Sequence, residues 1–209
     1  MKTIATIANP ETFTTSGVLV GRKVANAGFL RALLRFGSFE ELCVFTGEQR
    51  EVAPLRDLLE ELPGARERRL SVRNLLDLPQ ALEQGDLSVI HHHAHVGPML
   101  DTIWLRDRYA RRPTPITGQI HSISYPSMMS EYARAVLIGP GTGDAVFCSS
   151  SAGRDALRRC LETVDEALGR PVPSWQLPIV PLGCDVDRLG TGDGPTWRES
   201  QGLPQDAFI

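Results

Sequence analysis

Short apolar runs and longer segments of helical period take turns along this chain of 209 residues. Apolar residues at successive positions mark strands buried on both faces, and spacings of three and four mark one face of a helix. Strands are expected at residues 2–8, 41–46, 68–72, 87–92, 115–120, 145–149 and 175–180. Helices are expected at 18–36, 51–62, 74–83, 98–109, 126–137 and 152–168. The first helix carries an apolar stripe of Val20, Val24, Ala27, Leu30 and Leu34. The fourth puts Leu100, Ile103 and Trp104 on one side. Ser149, Ser150 or Ser151 is placed to cap the last by accepting from its free N–H groups. Strands alternating with helices give a parallel sheet covered on both sides, so the expected fold class is α/β, a doubly wound parallel sheet.

Charge and cysteine usage narrow the function classes. A net charge of -3 argues against general nucleic-acid binding, which needs a basic face. Arginine clusters at 66–73 and 106–112 read as solvated faces that still allow peripheral membrane contact. No apolar run approaches the ~18 residues of a membrane span. The N-terminal run is too short for a signal peptide and is broken by Asn9-Pro10-Glu11. Four scattered cysteines without C-x-x-C spacing read as reduced thiols, and the expected location is cytoplasmic.

Ligands of open α/β sheets bind beyond the carboxyl ends of the strands, so the residues there carry the functional question. After the first strand, Ser16-Gly17 precedes a helix and offers N–H groups suited to a phosphate. Gly17, Gly21 and Gly28 have the wrong spacing for G-x-G-x-x-G, and no P-loop is present. The strand at 87–92 runs into His91-His92-His93-Ala94-His95. Extended geometry puts His91, His93 and His95 on one face. Three readings stay open: a zinc site, histidines hydrogen-bonded at a crevice rim, or contacts to a polar ligand. His121 follows the next strand. Arg154 sits in the first turn of the 152–168 helix, against the dipole, which points to an anionic ligand or a second domain.

The end of the chain is expected to leave the first domain. Residues 178–189 form an apolar run into a turn, 190–195 a polar Gly-rich linker, 196–201 a helical patch, and 205–209 half a buried strand. The expected organisation is a domain at 1–182, a hinge or linker at 183–195, and the start of a truncated second domain at 196–209.

Together these strand ends resemble the N-terminal half of retaining glycosyltransferases of the two-Rossmann-domain (GT-B) type, the group 1 or family-four enzymes. Five elements match in order: the Ser16-Gly17 loop, Val89-Ile-His-His-His-Ala-His95, Pro115-Ile-Thr-Gly-Gln-Ile-His121, Asp144-Ala-Val-Phe-Cys-Ser-Ser150, and Ile179-Val-Pro-Leu-Gly-Cys-Asp-Val-Asp-Arg-Leu189. Arg198-Glu-Ser-Gln-Gly-Leu-Pro204 is similar to the opening of the family's second domain. The chain departs from the pattern at Leu182, where the family has Asn, at Thr15-Ser16-Gly17, where it often has paired glycines, and in its longer histidine run.

The resemblance implies a Rossmann-like GT-B N-terminal domain that binds the acceptor of a sugar moved from a nucleotide-sugar donor with retention of configuration. It implies His121 beside the transferred sugar as the catalytic candidate, positioning hydroxyls with its ring and presenting its carbonyl to an oxocarbenium-like centre. Ser16, Gly17 and Arg154 are the donor-side candidates, and His91, His93, Tyr125, Met128 and Tyr132 the acceptor-side ones. Pro181, Gly183 and Asp185 form the implied hinge. The implied partners are the nucleotide-sugar substrate, a glycan, lipid or small-molecule acceptor, and a C-terminal domain holding most of the nucleotide. No tightly bound cofactor, metal or nucleic acid is implied, and the fragment alone is expected to be inactive. The rival readings are a free-standing nucleotide- or small-molecule-binding Rossmann domain, a zinc hydrolase built on His91, His93 and His95, and a partner subunit without catalysis.

Overall fold

The computed structural model describes residues 2–14, 21–94, 96–123, 125, 127–169, 175–184 and 192–207. Six strands form one sheet: β1 (Thr3–Ile7), β2 (Glu41–Thr46), β3 (Arg69–Asn74), β4 (Val89–His92), β5 (Ile116–Gln119) and β6 (Ala145–Phe147). Their order is β3-β2-β1-β4-β5-β6 and every neighbouring pair is parallel. The helices are α1 (Pro10–Phe13), α2 (Gly21–Phe36), α3 (Val52–Glu60), α4 (Leu78–Gln84), α5 (Gly97–Tyr109), α6 (Met128–Ile138), α7 (Ser151–Leu168) and α8 (Gly194–Ser200).

The sheet is doubly wound, as its apolar runs require. In β2, Leu42 and Val44 face a core closed by Leu30 and Leu34 of α2 and Leu55 and Leu59 of α3. Cys43 and Phe45 face the opposite core, closed by residues of α4 to α7 such as Leu82, Ile103, Tyr132 and Leu157. Right-handed crossovers explain the division: moving outward from β1 in opposite directions puts the connecting helices on opposite faces. The order therefore reverses between β1 and β4, and a crevice opens there at the carboxyl edge.

Several expected elements differ in detail. Asn9-Pro10 opens α1 rather than a loop: Asn9 Oδ1 accepts from Thr12 N at 3.0 Å while Thr12 Oγ1 accepts from Asn9 N at 3.2 Å. The last strand, expected at 175–180, is present as two isolated parallel bridges beside β6, Ala145 to Gln176 and Cys148 to Ile179. Pro178 has no N–H to donate there, although its carbonyl accepts from Cys148 N at 2.9 Å. Trp104 is 57% exposed instead of sharing the buried side of α5 with Leu100 and Ile103. Residues 205–207 form a turn, with Arg198 Nη1 donating to Ala207 O at 2.7 Å, and no strand forms among the described residues there.

The amino edge of the sheet is closed by a buried ion pair. Asp144, just before β6, accepts from Arg106 Nη1 at 2.5 Å and Ile116 N at 2.7 Å through Oδ1, and from Gly141 N at 2.6 Å through Oδ2. One carboxylate thus ties α5, β5 and the 139–144 loop together.

Candidate functional site

The carboxyl ends of β4 and β5 bring histidines together because β4 ends on His91 and His92 and runs straight into His93. Strand alternation sends His92 to the α5 side, where Nε2 lies 2.9 Å from Thr102 Oγ1. His91 and His93 share the other side, as alternation requires. His91 is stacked between Phe29 and Phe147, with centroids at 4.6 and 5.8 Å, and its Nδ1 meets Thr117 Oγ1 at 2.9 Å. His93 meets Phe13 edge-on at 4.9 Å. All three are buried, and burial, reinforced by the neighbouring imidazoles, pushes each down to about 3. They are therefore neutral at ordinary pH and are not proton carriers.

His121 stands on the loop after β5, its ring held by Gln119 and by the His93 backbone. Gln119 Nε2 lies 3.2 Å from His121 Nε2 and donates its other hydrogen to Asn26 Oδ1 at 3.1 Å. The ring also bonds the His93 backbone. Since the amide can only donate, His121 Nε2 is the acceptor and Nδ1 carries the proton. Burial lowers its pKa, the His93 backbone bond opposes this, and Arg22 adds to the lowering.

Close approach of two backbones makes this register. Gly118 pairs with His92 in the sheet, and a Cβ on it would lie 2.5 Å from Ala94 O and 2.5 Å from Met99 Sδ. Only glycine lets Ala94 lie on β5 there. Val96 takes φ 45°, strained for a buried β-branched residue, where the chain turns into α5.

Two hollows meet these residues. The larger, about 1050 Å³, runs along α2, with Gln119, His121 and Phe147 on its floor and residues 180–184 as the far wall. Val24, expected in the apolar stripe, faces this cleft and is 43% exposed, while Asn26 takes a buried place on α2. The smaller, about 270 Å³, lies where β1 and β4 part and is lined by Arg22, Lys23, Asn26 and His93. The Asn26–Gln119–His121 chain of hydrogen bonds joins the two.

The expected site residues divide accordingly. His121, Pro181 and Gly183 line the large cleft, and His93 lines the small one. His91 is held behind the floor by its aromatic neighbours. Tyr132 is a core residue, 1% exposed, whose hydroxyl donates to Ile123 O at 3.3 Å, so it shapes the loop after β5 and lines neither hollow. Burial pushes its hydroxyl up to about 12. Met128 packs against that core, and the exposed Tyr125 lines neither hollow. Arg154 pairs with Asp155 at 2.9 Å and also lies away from both. Ser16, Gly17, His95 and Asp185 lie outside the described residues. Among the described residues, no three His, Cys, Asp or Glu side chains are grouped to hold a metal ion. No described helix is long and apolar enough to cross a membrane.

Asn26, Gln119, Arg22 and Lys23 escaped the sequence reading. One signal was present: Asn26 adjoins Ala27 in the apolar stripe of α2, and a polar residue buried in such a stripe needs a partner.

No family model matches the chain, and no curated protein matches it. Among solved structures it is similar to a diketoreductase studied for dual catalysis of dicarbonyl compounds, at 10% identity and a TM-score of 0.34. That likeness covers 97% of this chain and 80% of the other, and at such a score it bears on neither fold nor activity.

Proposed function

We propose that the chain is the acceptor-side domain of a retaining glycosyltransferase that uses a nucleotide-sugar donor. The observation that carries the reading is His121, held in one tautomer by Gln119 and the His93 backbone at the floor of a cleft of about 1050 Å³. An imidazole whose Nε2 already accepts from an amide is poorly suited to removing a proton and well suited to orienting hydroxyls. In this reading His121 positions the transferred sugar, and its main-chain carbonyl faces the developing positive charge. Retention then proceeds without a protein nucleophile, the acceptor hydroxyl approaching the face that the leaving phosphate vacates. The nucleotide and its phosphates belong to a second domain of the same type. Pro181 and Gly183, at the cleft wall, serve as part of the hinge that closes it and excludes water.

The test is transfer. In the longest form its gene encodes, the protein is expected to move sugar from labelled nucleotide-sugars to an acceptor from a glycan, lipid and polyol panel. Proton NMR of the product should show a retained anomer. His121→Ala should lower turnover by about 100-fold or more, the scale of a lost positioning contact. The 209-residue chain alone is expected to transfer nothing. Turnover by that chain alone, an inverted product, or full activity in His121→Ala would each sink the reading.

A further inference from the structure

The smaller hollow contains a buried side chain with no partner. His93 is 6% exposed, and neither Nδ1 nor Nε2 meets a hydrogen-bond partner. A neutral imidazole carries one donor and one acceptor, and leaving both unmatched in the interior is costly. Packing does not call for those nitrogens: Phe13, His91 and Phe29 surround the ring with centroids at 4.9, 5.3 and 6.0 Å, where a phenyl group would serve. The same hollow receives Arg22 and Lys23 from α2, and neither forms a salt bridge among the described residues. Asn26, buried, already accepts through Oδ1 from Gln119, which leaves its Nδ2 donor for the hollow.

Two cations, an imidazole and a carboxamide converging on one small space recognise an anion. Glu11 stands exposed in the same lining. It would repel a bare anion and accept from hydroxyl groups beside one. The volume of about 270 Å³ falls just below the ~300–1,000 Å³ of pockets for drug-sized ligands, so a nucleotide is too large.

We infer that this hollow binds a small hydroxylated anion, a sugar phosphate or polyol phosphate by class. Arg22 and Lys23 take the phosphate, Asn26 donates to it, the sealed His93 ring turns one nitrogen into the hollow to donate as well, and Glu11 accepts from a carrier hydroxyl. The inference rests on the transferase reading only in calling this molecule the acceptor. The chain from Asn26 through Gln119 to His121 then links the anion to the residue beside the transferred sugar.

Calorimetric titration of the full 209-residue chain tests this. The probes are glycerol 3-phosphate, glucose 6-phosphate and myo-inositol 1-phosphate, each beside its dephosphorylated parent. At least one ester is expected to bind more tightly than its parent by about tenfold or more. Arg22→Gln and Lys23→Gln should each weaken it by about tenfold, with unchanged melting temperature. His93→Phe should fold and lose the ester, and in the wild type the ring nitrogen signals of His93 should shift on saturation. Parents binding as well as their esters, or His93→Phe binding as well as wild type, would overturn the inference. If His93→Phe fails to fold, undiminished binding in Arg22→Gln overturns it instead. Orthophosphate binding as tightly as every ester would refute the hydroxylated carrier. Binding only to phosphatidylcholine vesicles containing phosphatidylinositol would refute the soluble source. None of these titrations requires transfer, so tight ester binding without glycosyl transfer sinks the transferase reading alone.

Discussion

The two edges of the sheet treat their buried ionisable side chains in opposite ways. At the amino edge, Asp144 is fully buried and both carboxylate oxygens are filled by Arg106, Ile116 N and Gly141 N. At the carboxyl edge, His91 keeps one buried nitrogen without a partner and His93 keeps two. Buried polar groups in folded proteins are ordinarily paired. Thr3 Oγ1 and Trp175 Nε1 at the amino edge also lack partners, so the contrast lies in the ionisable groups: Asp144 is fully matched, and the histidines are left open for something else. The strain at Val96 belongs to the same carboxyl edge, where strained backbone clusters when a site is being shaped.

Acid should distinguish the two edges most strongly. The folded pKa values of His91, His92 and His93, about 3, lie below the ordinary value of 6.5, so the folded chain holds fewer protons than the unfolded one. Their contribution is whole above pH 6.5 and drains as pH falls toward 3. The slope can approach ~4 kcal/mol per pH unit for three such groups. A domain of ordinary stability would then unfold at about pH 3–5, as followed by circular dichroism. An acid transition unmoved by His92→Val would break the comparison.

Next in size is the amino edge itself. Asp144→Ala leaves a buried guanidinium without its main partner and two backbone N–H groups bare, and should cost about 3–5 kcal/mol in urea unfolding. A loss below about 1 kcal/mol would mean that the edge is not held by that carboxylate. Gly118→Ala comes third. Its methyl group would meet Ala94 O and Met99 Sδ at 2.5 Å, so the loop must lift, at about 1–3 kcal/mol. Ligand binding should fall further than stability does, because His93 adjoins Ala94 and its backbone bonds the His121 ring. The smallest effect belongs to His93→Phe, which removes two unmatched nitrogens from an aromatic setting. Its unfolding free energy should stay within about 1 kcal/mol of wild type or rise. A loss as large as that of Asp144→Ala would show that His93 is structural and erase the contrast.

Most of the fold was legible because its signals are local. The run Leu42-Cys-Val-Phe-Thr46 is apolar at nearly every position, and the expected strand at 41–46 coincides with β2. Ser150 is the cap that accepts from Gly153 N at 3.1 Å, one of three serines named for that role. The α1 helix was missed although Asn9-Pro10 with Thr12 is a capping signal, because four residues carry no apolar period. At 175–180 the apolar pattern was read as a strand, but Pro178 reduces it to bridges at the edge.

The site was less legible. His93 and His121 stood out because histidines at strand ends are conspicuous. Arg22, Lys23, Asn26 and Gln119 did not, since each is ordinary in its own segment. Tyr132 is expected on the acceptor side, yet α6 turns it into the core.

What the amino-acid sequence determined alone is the alternation of buried strands and helices, hence a parallel sheet whose carboxyl ends hold His91 to His93 and His121. What only the tertiary structure decided is which of these groups meet. Asn26 and Gln119 are 93 positions apart and are joined by one hydrogen bond across the carboxyl edge. Periodicity is a property of neighbours within a turn or two, whereas a site is made by packing of segments whose separation along the chain leaves no periodic trace.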